Sequence, residues 1–279
     1  MDVNLDSTPF SLLLAYVFSV FVGGLMLLVS AGGVLLPEMY RDSAFVLPQI
    51  FGQDLVSLIL GVPLLIVSLI YAIQGSYKGR ILWMGSIGYA LYTSATYLFG
   101  LAYNQYFLLY VVFFSFSLFT FIAGLMHLDM TALSKQFTGD FPVKSLAAYF
   151  FLAGILILVL RLGEIIPALI EGDLPRSILL SEATTNVAYA IDLSVLVPLL
   201  FLSANWIWYR TAHGYVMSGI LLVLALLSGL ATLTGFLCMF RNDQPLVMGQ
   251  VVFFGLFTIF ALLLLIHYAQ CIEPAAEEE

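Results

Sequence analysis

Charge is what this chain has least of. Lys and Arg number 9 and Asp and Glu 17 among 279 residues, 9% in all, for a formal net charge of −8. Nucleic-acid binding needs a basic face against the phosphates, so nucleic acid is not expected as a partner. There are two cysteines, Cys238 and Cys271. Counting helices sets them on opposite membrane faces, whereas a disulfide needs Cα atoms within about 7 Å. The three histidines, His127, His213 and His267, are too few for histidine-rich di-iron chemistry. No nucleophile motif, Gly-rich phosphate loop, Cys-x-x-Cys pair or His-Glu-x-x-His is present, so no catalytic residue or metal site is assigned.

What the chain does have is oil. Apolar residues make up 62% of it, and its mean hydropathy is +1.06. A bilayer core about 30 Å thick takes roughly 20 helical residues to cross. Apolar blocks of that order run near Pro9–Leu36, Leu55–Ile73, Ile81–Ala102, Phe107–Leu128, Leu146–Ile170, Asn186–Tyr209, Tyr215–Phe240 and Leu246–His267. They are apolar on all sides, which marks buried or membrane helices, and their length favours the membrane. Ile155–Leu160 and Leu221–Leu227 show none of the alternation of a transmembrane β-strand. The sequence therefore predicts an all-α, polytopic integral membrane bundle of about eight transmembrane helices, partnered by the lipid bilayer. Connections are short, so one membrane domain is expected. MDVNLDSTPF carries two acids and no basic residue, unlike a signal peptide, so the first helix is expected to be retained. Residues 273–279, EPAAEEE, read as an acidic, solvated tail.

Lys78, Arg80, Lys135, Lys144 and Arg210 fall on the face that carries both termini; Arg41, Arg176 and Arg241 fall on the other. The positive-inside rule then predicts cytoplasmic termini in a cell membrane. Trp83, Trp206 and Trp208 lie near the basic face and are expected as interfacial anchors. Arg41 after an uncharged first helix pulls the other way.

The text also repeats. Val111-Val112-Phe113-Phe114 recurs as Val251-Val252-Phe253-Phe254, and His127 recurs as His267, both at an offset of 140. Gly33…Pro37 resembles Gly163…Pro167, and Asp54…Pro63 resembles Asp192…Pro198. A parallel 4+4 repeat is expected, 1–140 forming the first half and 141–272 the second, as in some transporters.

Ionisable groups inside a bilayer are costly and are functional candidates by default. Arg161 and Glu164 share one face of the fifth helix, and Asp192 interrupts the sixth. Counted along the helices, Arg161 lies about 8 Å and Asp192 about 9 Å inside the boundary away from the termini. They can meet, with Glu164 one turn nearer the outside. Arg161, Glu164 and Asp192, with Asp54 as the first-half match, are the candidate substrate or proton site; a structural ion pair is the alternative. His127 and His267 are weak candidates for haem or metal, although no cofactor is expected. Prolines 37, 63, 167 and 198 are expected to kink helices. Tyr92–Tyr97, a polar run without charge, is expected to bond to a neighbouring helix. Three readings remain: a transporter or permease for an ion or small molecule; a non-catalytic membrane subunit or scaffold; and a haem-, metal- or quinone-binding redox protein.

Overall fold

The computed structural model describes residues 10–137 and 140–272. Residues 1–9 of the N-terminal stretch and the acidic tail at 273–279 lie outside the described residues. Regular structure among these residues is helical, apart from one antiparallel bridge between Phe137 and Ile272. The helices are α1 (Phe10–Leu35), α2 (Leu47–Ile73), α3 (Tyr77–Gly100), α4 (Phe107–His127), the short α5 (Met130–Ser134), α6 (Val143–Glu171), the short α7 (Arg176–Ser181), α8 (Val187–Trp208), α9 (Ala212–Arg241) and α10 (Met248–Gln270).

Seven of these are long and apolar enough to cross a membrane, and the chain is a multi-pass membrane protein. The other long helix is α3. Its Tyr, Ser and Thr residues and the pair Lys78 and Arg80 make it more polar, and most of it is buried against α2, α4 and α9. The outward faces of the other long helices carry exposed apolar side chains such as Val20, Leu28, Leu169 and Leu263. Lipid tails are as apolar as these residues, so the faces need no protein cover.

Local chemistry sets several boundaries differently from the apolar blocks. The second helix begins at Leu47, eight residues before its apolar run, because Pro48 sits in the first turn, where its missing N–H costs nothing. Ser76 and Thr211 cap α3 and α9. Gly172, at φ 75°, ends α6 in the left-handed conformation.

Within the bundle, α9 packs along α2, α3, α8 and α10, while α1 packs along α4 and α6 along α8. At the α2–α9 crossing a Cβ on Gly52 would lie 2.3 Å from the Gly235 nitrogen, so glycine is required there. Trp83 corrects an expectation. It is fully buried, with its indole N–H donating to Ser19 Oγ at 2.8 Å and its ring edge-on to Tyr16. Because α3 is enclosed, even its first turns face protein, and Trp83 anchors the core rather than the interface. Trp208 is exposed.

The helices α2 and α8 share one irregularity. Each has a π-helical stretch, Ser57–Gly61 and Asp192–Leu196, followed at once by Val-Pro-Leu-Leu. Proline cannot donate to the carbonyl four residues back and clashes with it, and one extra residue in the turn relieves both. The turns that follow also match. Gly75 and Arg210 both have positive φ, 87° and 54°. Ser76 N–H donates to the Tyr71 carbonyl and Thr211 N–H to that of Trp206, each at 3.0 Å. Gly79 and Gly214 N–H each donate to the capping hydroxyl at 3.2 Å. In this register Ser57 corresponds to Asp192 and Asp54 to Tyr189. Aligned on the π stretches, Asp54 and Asp192 thus sit one turn apart, rather than at the matched positions expected from Asp54…Pro63 and Asp192…Pro198.

Candidate functional site

The structure brings Arg161 of α6 onto Asp192 of α8. Arg161 Nη2 donates to Asp192 Oδ2 at 2.7 Å and Nε to the same oxygen at 3.0 Å. Tyr92 of α3 donates to the other oxygen, Oδ1, at 3.0 Å. The guanidinium carbon lies 4.2 Å from the ring centroid of Tyr189, a cation–π contact on the same helix as Asp192. The Asp192 side chain is 4% exposed and that of Arg161 18%. Both carboxylate oxygens are therefore occupied, and this is the ion pair among the described residues.

Glu164 does not reach Arg161 by a hydrogen bond. It is one turn further out, accepting from the Tyr189 hydroxyl at 2.5 Å and from the Ser177 N–H that opens α7. Tyr189 thus joins the two halves of this cluster, its ring against the cation and its hydroxyl on the outer carboxylate. Sequence reasoning passed over Tyr189. The signal was its place three residues before Asp192, on the same helix face.

Asp54 is built differently. It is fully buried, and among the described residues no cation pairs with it. Tyr40 donates to Oδ2 at 2.6 Å and Tyr97 to Oδ1 at 2.8 Å. Against α1 the fit is tight: a Cβ on Gly33 would lie 1.8 Å from Asp54 Oδ2. The structure thus separates Asp54 from Arg161, Glu164 and Asp192 into a centre of its own. Tyr40 follows the short 3-10 turn Pro37–Met39 in the connector between α1 and α2. Burial first, and the facing Asp54 carboxylate second, push its phenol above the ordinary tyrosine range. Nearby, Asp42 accepts the Ala102 N–H at 2.9 Å through one oxygen, and its other is buried without a partner. Burial raises its carboxyl above the usual range, and the Ala102 bond works against that.

The polar run on α3 links both centres. Tyr97 serves Asp54 and Tyr92 serves Asp192, five residues apart on one helix. Tyr89 and Thr93 of the same helix take both amide hydrogens of Gln53, at 2.8 and 2.9 Å, and Tyr89 shares a 2.8 Å bond with Ser57 at the π stretch. Such runs bond neighbouring helices because an unsatisfied hydroxyl in hydrocarbon is costly.

His127 ends α4, with Nδ1 2.8 Å from the Ala123 carbonyl, and His267 is exposed on α10. Among the described residues, no group of three or more His, Cys, Asp or Glu side chains is arranged to hold a metal ion. A surface cavity of about 430 Å³ is apolar and lined by Leu60, Leu64, Leu230, Thr258 and Leu262 among others. No known family, curated protein or solved structure matches this chain.

Proposed function

We propose that the chain is a transporter or permease for an ion or small polar molecule, with Arg161, Glu164 and Asp192 as its polar site in the outer half of the bilayer. One observation carries the reading. A charged pair within the membrane is placed where one helix has a π stretch and is tied by Tyr92 to a helix of the other half. Intramembrane charge and π stretches both concentrate at functional sites. In this reading α3 also crosses, giving eight helices in a parallel 4+4 arrangement, with the termini cytoplasmic in a cell membrane. The matching turns after the two Val-Pro-Leu-Leu segments support the repeat, and five basic residues against three support the orientation.

A second reading, a non-catalytic membrane subunit or scaffold, is favoured by the cavities. The apolar surface cavity described above, and a smaller one at Val67, Ile70, Tyr71 and Gln74, are not lined by Arg161, Glu164 or Asp192. The pair would then simply hold α6 to α8.

One experiment separates these readings. Purified protein is screened against ions and small polar metabolites by thermal stabilisation, and compounds that stabilise it are tested for uptake into proteoliposomes. The double variant Arg161→Gln with Asp192→Asn removes both charges and keeps hydrogen-bonding capacity. Transport predicts that this variant folds but loses both stabilisation and uptake. A variant that retains both, or a protein that no compound stabilises, supports the scaffold.

A further inference from the structure

We propose that Asp54 is a proton-binding site, separate from the Arg161–Asp192 cluster and opened to the membrane face by the connector that carries Tyr40. The inference does not rest on the transport reading. A carboxylate taken out of water without a counter-charge is strongly disfavoured, and it must pair, bind a metal or take up a proton. Asp54 is fully buried, and among the described residues no Lys, Arg or His forms an ion pair with it. Its neighbours define what it can hold. The titratable groups facing it are Tyr40 from the connector, Tyr97 and, about two turns away, Tyr89 from α3, and Tyr110 from α4. The residue of α1 against it is Gly33.

A metal ion does not fit. Calcium or magnesium needs about six or more oxygens at roughly 2.0–2.6 Å. Here each carboxylate oxygen is already capped by a phenol, at 2.6 and 2.8 Å, and Gly33 closes the space beside Oδ2. A proton needs no such shell. Protonation forms one O–H bond on the carboxyl group. The phenol that had donated to that oxygen turns to accept from it, and its own hydrogen turns to a neighbour. For Tyr40 that neighbour is the hydroxyl of Tyr110, which in turn accepts from Asn104 Nδ2 at 3.4 Å.

The way out is also on this side. Tyr40 lies outside the long helices, in the 36–46 connector, and is the one ligand of Asp54 that can move without moving a membrane helix. Asp42, two residues on, leaves a second carboxylate oxygen unpartnered within the same connector. Displacement of Tyr40 opens Asp54 toward it. A proton then leaves the carboxyl O–H bond for water, and the anion is held by Tyr97 until the connector closes.

The test is infrared difference spectroscopy on the full chain in lipid nanodiscs, following the C=O stretch of protonated carboxyl groups through a pH titration. A band that titrates is expected, absent in Asp54→Asn and kept in Asp192→Asn. Tyr40→Phe keeps the carboxyl but removes a donor to its anion, so the midpoint should rise by about one pH unit or more. This variant also serves if Asp54→Asn does not fold. Excess sodium should leave the band unchanged. The proposal is overturned by a band that survives Asp54→Asn, a midpoint indifferent to Tyr40→Phe, suppression by sodium, or no titrating band at all. Loss of uptake without loss of the band bears on the Arg161 site alone.

Discussion

Two carboxylates lie within this bundle, each reached by a tyrosine of α3, and the protein keeps them by opposite means. Asp192 is given a cation: Arg161 occupies one oxygen twice, Tyr92 takes the other, and Tyr189 covers the guanidinium. Asp54 is given only phenols and full burial. The comparison teaches that burial alone does not decide what an intramembrane acid does; the charge across from it does. An acid paired with a cation can keep its charge out of water, whereas one held by neutral donors alone is, as proposed above, the one placed to take up a proton.

Neutralising each acid in turn separates the two centres most sharply. Asp192→Asn leaves Arg161 as an uncompensated charge, and removing one partner of a buried pair typically costs about 3–5 kcal/mol. Adding Arg161→Leu should recover most of that loss, since the stranded charge goes with it. Asp54→Asn replaces a neutral carboxyl with a near-isostere that still accepts from a tyrosine, and should cost about 1 kcal/mol or less. Unfolding in detergent or bicelles measures all three. Equal costs at the two positions would break the contrast, as would a double variant no more stable than the single one.

The paired centre was legible in the sequence with its partner, whereas Asp54 was legible only as an acid and not by the phenols that hold it, for a physical reason. Arg161 and Asp192 announce themselves as charges inside apolar runs, and helix rise alone matches their depth. Glu164 was placed correctly on the helix but not by partner, because its hydrogen bonds come from the N–H of α7 and from Tyr189, beyond what spacing on one helix reveals. Tyr40 carries no signal at all: it is one aromatic residue in a connector, and only the folding of α1 back against α2 sets it on Asp54. The helical bundle itself was legible because apolar length is a one-dimensional property. Whether α3 crosses is harder to read, since its polarity reflects the partners it bonds inside the protein. The register of the two π stretches was hidden for a similar reason. Matching Asp with Asp looked natural in the text, while the backbone aligns Val-Pro-Leu-Leu.

A second comparison concerns the helices that face these acids. In α1, Gly33 leaves room for Asp54 and nothing larger. In α6, the glycine with the same relation to proline, Gly163, has open space where a Cβ would stand. Gly33→Ala should therefore destabilise by about 1–3 kcal/mol, the usual range for forcing atoms into a packed site. Gly163→Ala should stabilise by a few tenths to about 1 kcal/mol, from helix propensity alone. Thermal unfolding of the two alanine variants side by side gives opposite signs if α1 closes on Asp54 as tightly as the structure has it. A stable Gly33→Ala protein would mean that α1 stands further from Asp54.

The smallest effect lies in the matched turns, where the backbone is the same and the residue differs. Gly75 joins α2 to α3 at φ 87°, a conformation that costs glycine nothing. Arg210 joins α8 to α9 at φ 54°, where a side chain pays roughly 1–2 kcal/mol against the carbonyl beside it. Arg210→Gly should relieve that strain, offset in part by the greater freedom glycine has in the unfolded chain, for a net gain below about 1 kcal/mol. Gly75→Ala should go the other way by a similar amount. In the proposed orientation Arg210 is also one of five basic residues on the terminal face, so its loss would weaken the charge bias that sets that orientation. Arg210→Lys separates the two roles. It keeps the charge and the strain, so it should leave both the unfolding temperature and the orientation, read by the accessibility of a single introduced cysteine, as they are in the parent protein. If glycine at position 210 gives no gain while Gly75→Ala costs stability, the two turns are alike in outline only.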